Sequence, residues 1–269
     1  MLNHEVISYL RDRRATFFFG DPGPTLPSGL SARWRLSRHD PHGWHANMVG
    51  FIDGPVAQLP ILLDVAVRWF DHYRVDTWLD SDEFGVMFRQ HDLLEAWAFQ
   101  LVDDWDAMVC RYSCGEVRNP SVAVDLAESM DDIDLAAWIA EQTDRGSPIA
   151  RDDPGVQRRK ARFWREYSDW GYRFAIARLE GQPAGTARLT NEELPLVVGV
   201  ATLPEARRRG VATSLADILT REALRRRGIC ALYVERGSQA ARIYARLGYK
   251  PLFRSRAWVR RYRPGRTRE

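Results

Sequence analysis

The stretch that most constrains this chain runs from Val200 to Thr213 and reads Val-Ala-Thr-Leu-Pro-Glu-Ala-Arg-Arg-Arg-Gly-Val-Ala-Thr. A strand ends near Thr202, Pro204 prevents it from continuing, and a helix begins near Gly210. The first amides of such a helix have no partner within it. Gly210 permits a positive φ or a close backbone approach, and Ala212 is small enough to leave room for a phosphate. The helix dipole and Arg207, Arg208 and Arg209 supply positive potential. Strand, loop and helix start in that order suit a pyrophosphate.

The surrounding pattern predicts one mixed α/β domain. A strand from Glu116 to Leu126 precedes helices over Asp131 to Gln142 and Val156 to Tyr167, the second very basic. Strand-like runs Tyr172 to Leu179 and Ala184 to Thr190 flank the turn Glu180-Gly181-Gln182-Pro183, and a third runs from Leu196 to Thr202. Helix Val211 to Arg227, strand Ile229 to Glu235, helix Ser238 to Leu247 and a strand from Tyr249 onward complete it. In the first half, a helix over Glu5 to Arg14 is followed by a helical face of Leu59, Leu62, Leu63, Ala66, Val67 and Phe70, then a β-type run from Val75 to Leu79. Ser81 is read as capping a helix to about Gln90, with strands near Leu94 to Val102 and Trp105 to Tyr112. The order of elements thus repeats after about 155 residues, which reads as an internal duplication with domains at 1–115 and 116–269.

Composition bounds the function. At 45% hydrophobic and 11% aromatic, 269 residues suffice for a buried core. No apolar run reaches the roughly 18 residues a bilayer needs, and the start lacks a secretory pattern, so no membrane partner and a cytoplasmic location are expected. Cys110, Cys114 and Cys230 lack the spacing of a disulfide framework or a zinc site. Residues 1–116 hold 10 Lys+Arg against 17 Asp+Glu and residues 117–269 hold 29 against 19, so the halves carry −7 and +10. That asymmetry suits an anionic ligand on the second half.

Here the chain resembles the GNAT superfamily of N-acetyltransferases, whose acyl-CoA loop is written [QR]-x-x-G-x-[GA]. Arg207-x-x-Gly210-x-Ala212 fits it, and Ala240-x-x-Ile243-Tyr244-x-x-Leu247-Gly248-Tyr249 is similar to the family's A-x-x-L-Y-x-x-L-G-[FY] stretch. The resemblance covers roughly Val117 to Tyr262. It implies a tandem GNAT-like acyl-CoA N-acyltransferase fold of α/β class with a mixed, splayed sheet, and CoA wedged between the strands ending at Thr202 and Glu235. By the same resemblance, the backbone of Val200 and Thr202 pairs with pantetheine. Amides of Arg207, Arg208, Arg209, Gly210, Val211, Ala212 and Thr213 hold the pyrophosphate, and Tyr244 protonates the departing thiolate. Many members carry Asn at the position of Gly237, a contact left here to backbone or to Ser238.

The expected reaction moves the acetyl group of acetyl-CoA, as co-substrate, to a primary amine of a small molecule or peptide, an acyl group other than amino-acyl. It needs a free amine, a stabilised oxyanion and a proton for the thiolate. All six histidines lie in the first 91 residues, so the base is a carboxylate, with Glu193 and Glu235 the candidates, or a water chain, or absent. Alternatives are a catalytically weak CoA- or partner-binding module, or a charged RNA or acyl carrier as donor. In the first half the equivalent loop, Gly50 to Ala57, lacks the basic residues and carries Pro55, and Phe88 stands for Tyr244. One active site is therefore expected, in a monomer or homodimer. His39-x-x-His42-x-x-His45 falls in a Pro- and Gly-containing loop, and no metal is expected. The arginine-rich stretch Arg254 to Arg268 reads as an edge strand and solvated tail, with nucleic acid the sharper but less favoured alternative.

Overall fold

The computed structural model describes residues 1–15, 23–38, 40, 42, 47–113 and 119–264. In chain order the elements are α1 (Asn3–Ala15), β1 (Ser31–Arg35), β2 (Met48–Asp53), α2 (Leu59–His72), β3 (Thr77–Asp82), α3 (His91–Ala96), β4 (Gln100–Cys110) and β5 (Val122–Leu126). They continue as α4 (Met130–Arg145), α5 (Pro154–Ser168), β6 (Arg173–Leu179), β7 (Gln182–Leu189), β8 (Val197–Thr202), α6 (Val211–Arg227), β9 (Cys230–Glu235), α7 (Gln239–Arg246) and β10 (Lys250–Arg260). The fold is mixed α/β, and it divides into two compact units, Met1–Ala107 with Leu252–Glu269, and Met108–Pro251. The sequence boundary at 115/116 keeps Leu252 to Glu269 in the second half, whereas these residues cluster with the first. The reason is pairing: β10 runs antiparallel to β3, from Ser255 opposite Asp82 to Arg260 opposite Thr77.

In the first unit, strands follow the order β1-β2-β3-β10-β4. β2 and β3 are parallel over only three pairs, Met48 with Trp78, Val49 with Leu79 and Gly50 with Asp80. The apolar stripe of α2 is buried as the 3.6-residue period requires, with Leu59, Leu62, Leu63, Ala66, Val67 and Phe70 packed on Val49, Leu79 and Trp258. Each large side chain in it contributes roughly 1.5–3 kcal/mol.

Two expectations for this unit are corrected. Ser81 lies within β3 and caps nothing; a short 3-10 turn over Val86–Arg89 and then α3 occupy the region. Leu94 is buried in α3, Ala98 turns the chain at φ 63°, and one strand, β4, stands where two were read. A short apolar run cannot distinguish a buried helical turn from a strand.

The second unit follows its pattern closely. β5-β6-β7-β8 form an antiparallel sheet. Glu180 and Gly181 connect β6 to β7 with φ of 53° and 79°, the doubly left-handed turn whose twist suits a two-residue hairpin. α4 starts in a reciprocal capping box between Ser129 and Asp132 and ends at left-handed Gly146. α6 packs Val211, Leu215, Leu219 and Ala223 into the core beside β6, β7 and β9. Residues 114–118, with Cys114 and the start of the expected fifth strand, lie outside the described residues. Among those described, no helix is long and apolar enough to cross a membrane.

The C-terminal arginines are engaged inside the first unit. Arg254 pairs with Asp104, Arg260 with Asp71 at 2.9 Å and Arg261 with Asp76 at 2.7 Å, and β10 lies between β3 and β4, internal to its sheet where an edge strand was expected. Arg266 and Arg268 lie outside the described residues.

Candidate acyl-donor site

Three local features shape the C-terminal end of β8. The first is the loop. After Thr202 the chain passes buried Leu203 into a single 3-10 turn, Pro204–Ala206, and Arg207 is extended at φ −66° and ψ 152°. Arg208 is left-handed at φ 62° and Gly210 left-handed at φ 83°. The amide of Asn119 donates to the Arg209 carbonyl at 2.9 Å, and Arg207 Nε donates to the Thr202 carbonyl at 3.4 Å. All three arginines are exposed; Arg209 meets Glu180 at 2.5 Å, while Arg208 makes no ion pair with a described residue.

The second is the helix start. Gly210 caps α6 without any side-chain bond, and the first helical hydrogen bond runs from Ser214 N to Gly210 O at 3.0 Å. The amides of Val211, Ala212 and Thr213 therefore have no helical partner and point out of the N-terminus. Val211 is anchored in the core, whereas Ala212 and Thr213 are half-buried. Gly185 on β7 makes the close packing feasible, because a Cβ there would lie 2.6 Å from Val211 Cγ1 and 2.7 Å from the Ala201 carbonyl.

The third is the parting of the strands. β8 and β9 meet at one parallel bridge, Leu196 with Ala231, and Ala231 N donates to Pro195 O at 2.9 Å. Beyond it no ladder joins them among the described residues, so the edge of β8 toward Val200 and Thr202, both half-buried, is left open. β8 also carries a bulge. Gly185 and Thr186 oppose Thr202 and Ala201, yet Arg188 and Leu189 oppose Val198 and Val197, which leaves one extra residue on β8. Gly199 sits in it at φ 60°. The sequence reading missed this feature, although a glycine inside a strand pattern is its usual signal.

Of the candidate catalytic residues, Tyr244 is buried in α7, with its ring edge-on to Tyr249 at 5.8 Å between centroids. Burial pushes its phenol up to about 12. Glu193 and Glu235 are both exposed. Glu193 precedes β8 at the bridged end, and Glu235 closes β9 at the parted end, so the structure sets the two carboxylates at opposite ends of these strands. Ser238 caps α7, accepting from Ala241 N at 3.1 Å, which occupies its oxygen and leaves its proton to donate. Gly237 is left-handed at φ 74°, a conformation that suits glycine or asparagine.

The first unit has an opening at the matching place. Where β2 and β3 cease to pair, a cavity of about 290 Å³ is lined by Asp53, Asp80 and Asp82 with Arg11, Phe51 and Phe84. Asp80 pairs with Arg14, and Arg11 reaches Asp82 at 2.8 Å. Burial raises the Asp80 carboxyl, an effect its arginine only partly offsets. Three carboxylates in place of three arginines make this a poor phosphate site. Phe88 is buried under Arg256, whose Cζ lies 4.4 Å from the ring centroid. His42 sits 3.2 Å from Asp76, and among the described residues no cluster of metal-ligating side chains is found; His39 and His45 lie outside them.

Residues 170–251 match the family model described as acetyltransferase (GNAT) domain. No curated protein matches the chain in sequence. Among solved structures, the chain is similar to a GCN5-related N-acetyltransferase from Sphaerobacter thermophilus (TM-score 0.66, 17% identity, 88% of this chain and 78% of that one). It is also similar to a GCN5-related N-acetyltransferase from Kribbella flavida (0.62, 17%, 96% and 95%). A tandem GNAT protein from the clavulanic acid biosynthesis pathway aligns at 0.51 and 11% identity over 81% and 76%. At these identities the likeness is one of fold. The family match falls on β6 to β9 and the loop between them, so residues 170–251 are similar to a GNAT acetyltransferase domain, and the chain shares its fold with GNAT acetyltransferases, a tandem GNAT protein among them.

Proposed function

We propose that the protein is an acetyl-CoA-dependent N-acetyltransferase acting on a primary amine of a small molecule or peptide. The observation that carries this reading is the uncapped N-terminus of α6 behind the Arg207–Gly210 loop, set at the end of β8 where β8 and β9 part. The amides from Gly210 to Thr213 would receive the pyrophosphate, with Arg208 adding charge from the loop. The open edge of β8 at Val200 and Thr202 would pair with the pantetheine amides, leading the thioester toward the bulge at Gly199. There a backbone N–H would favour the developing oxyanion. Tyr244, kept protonated by its burial, would donate to the leaving sulfur. Glu193 and Glu235 remain the candidate bases, and their opposite placements make them alternatives and not a pair.

Thermal-shift titration with acetyl-CoA tests the donor, because a ligand held only by the folded protein raises its stability by about 2.7 kcal/mol at 100 times its dissociation constant. A shift with acetyl-CoA, and acetyl transfer to an amine panel, is expected. Absence of a shift with any acyl-CoA refutes the reading. A shift without transfer to any amine reduces the protein to a binding module.

A further inference from the structure

The bulge of β8 is propped from below by a buried charge. Gly199 has no side chain, and the space for one is taken: a Cβ there would lie 2.6 Å from Arg188 Nη2 and 3.2 Å from its Cζ and Nε. The same guanidinium lies over the Phe163 ring of α5, 4.6 Å from Cζ to centroid. Its Nη1 donates to Glu166 Oε2, and the other oxygen of Glu166 accepts from Arg162 Nε at 2.8 Å. Arg188 is 8% exposed and Glu166 2%. Arg188 Nε is buried without a partner.

An ordinary core position would not be filled this way. Burying a guanidinium costs several kcal/mol even when it is paired, and an apolar side chain of similar volume would serve packing at least as well. Burial lowers the pKa of Arg188; Glu166 opposes that shift, while Arg162 and Arg159 add to it. What arginine offers here is shape. Its planar, rigid group is fixed by α5 on one side and bears on the backbone of Gly199 on the other. Gly199, left-handed and without a Cβ, has few restraints of its own.

We propose that Arg188 is a positioning residue for acyl transfer: clamped by Glu166 and Phe163, it holds the β8 bulge in the shape that presents its backbone to the thioester. This rests on the acyl-transfer reading above. Arg188 touches neither substrate nor cofactor and acts through Gly199. The pyrophosphate loop is a separate element, so the part of donor binding that it supplies is independent of the clamp, while the pantetheine contacts at Val200 and Thr202 lie beside it.

The test combines steady-state kinetics with calorimetric acetyl-CoA binding for Arg188→Met, Arg188→Lys, Glu166→Gln, Gly199→Ala and the double variant Gly199→Ala/Arg188→Met. Arg188→Met is expected to lower kcat roughly 100-fold, the scale of an ångström-sized misplacement, with a much smaller loss of acetyl-CoA affinity, because the pyrophosphate site is left intact. Arg188→Lys keeps the charge without the plane and stays impaired. Gly199→Ala lowers kcat sharply alone, through both its clash with the guanidinium and its left-handed φ of 60°, and lowers it less in the Arg188→Met background, where only the backbone strain remains. Wild-type kcat in Arg188→Met, multiplicative losses in the double variant, or a loss of acetyl-CoA affinity as large as the loss of kcat would each overturn the proposal. Should Arg188→Met fail to fold, Glu166→Gln decides: reduced kcat supports the clamp and wild-type kcat removes it. If the wild-type protein binds acetyl-CoA but transfers nothing, the functional reading fails on its own. The clamp is then read from hydrogen exchange over Val198 to Thr202, faster in the variants if it exists and unchanged if it does not.

Discussion

A buried tyrosine is an unusual proton donor, and its environment decides which role Tyr244 can fill. Burial holds the phenol at about 12, above an ordinary tyrosine near 10. A higher pKa makes it a poorer acid but one that is protonated throughout the neutral and mildly alkaline range. Tyr244→Phe is expected to lower kcat roughly 100-fold while leaving acetyl-CoA affinity intact, the scale of one positioned proton donor. The pH profile carries the sign. With the proposed primary-amine acceptor, the rate is expected to rise with pH as its ammonium loses a proton, and no falling limb belongs to Tyr244 until pH nears 12. An unchanged kcat in the phenylalanine variant, or a falling limb near pH 8 that the variant abolishes, would remove Tyr244 from this role.

At the scale of elements, the loop and the start of α6 form one device. Arg208 is exposed, left-handed at φ 62° and makes no ion pair with a described residue. For a non-glycine residue that conformation costs roughly 1–2 kcal/mol. Arg208→Glu is expected to weaken acetyl-CoA binding about tenfold at low salt, with the penalty shrinking as salt is raised, since the charge is exposed and screened. A salt-independent loss measured by calorimetry would point to a damaged loop instead. Much of this device was legible in the sequence: Pro204 ends the strand, Gly210 opens the helix, and α6 begins and ends where the pattern put it. The bulge was less so, because Gly199 shows its role only through the register of β7 and through Arg188, a residue eleven positions away whose partner Glu166 lies on another element. Ser238 reads in the sequence as a cofactor contact; in the structure it caps α7. In the first half, Leu94 misled because one buried helical turn and one buried strand have the same short apolar signature.

At the scale of the whole chain, the charge division of −7 and +10 has a partly internal account. Strand β10 carries arginines from the basic end of the sequence into the first unit, where Asp71, Asp76 and Asp104 receive Arg260, Arg261 and Arg254. No local pattern announces this, since the carboxylates and their arginines stand more than a hundred residues apart. Asp76 shows the consequence. Burial alone would raise its carboxyl, but hydrogen bonds from Arg261 at 2.7 Å, Tyr262 N at 2.8 Å and His42 at 3.2 Å outweigh that and hold it below its ordinary value. A depressed carboxylate stabilises the fold fully above the unfolded-chain pKa near 3.9, and that contribution is lost as pH falls through the folded value. Asp76→Asn is therefore expected to cost roughly 1–3 kcal/mol at pH 7, the scale of hydrogen bonds to a charged group. It should cost less at pH 3, so that the variant's stability falls less steeply on acidification. Urea midpoints at the two pH values decide it: an equal midpoint shift at both would show that Asp76 contributes by shape and not by charge.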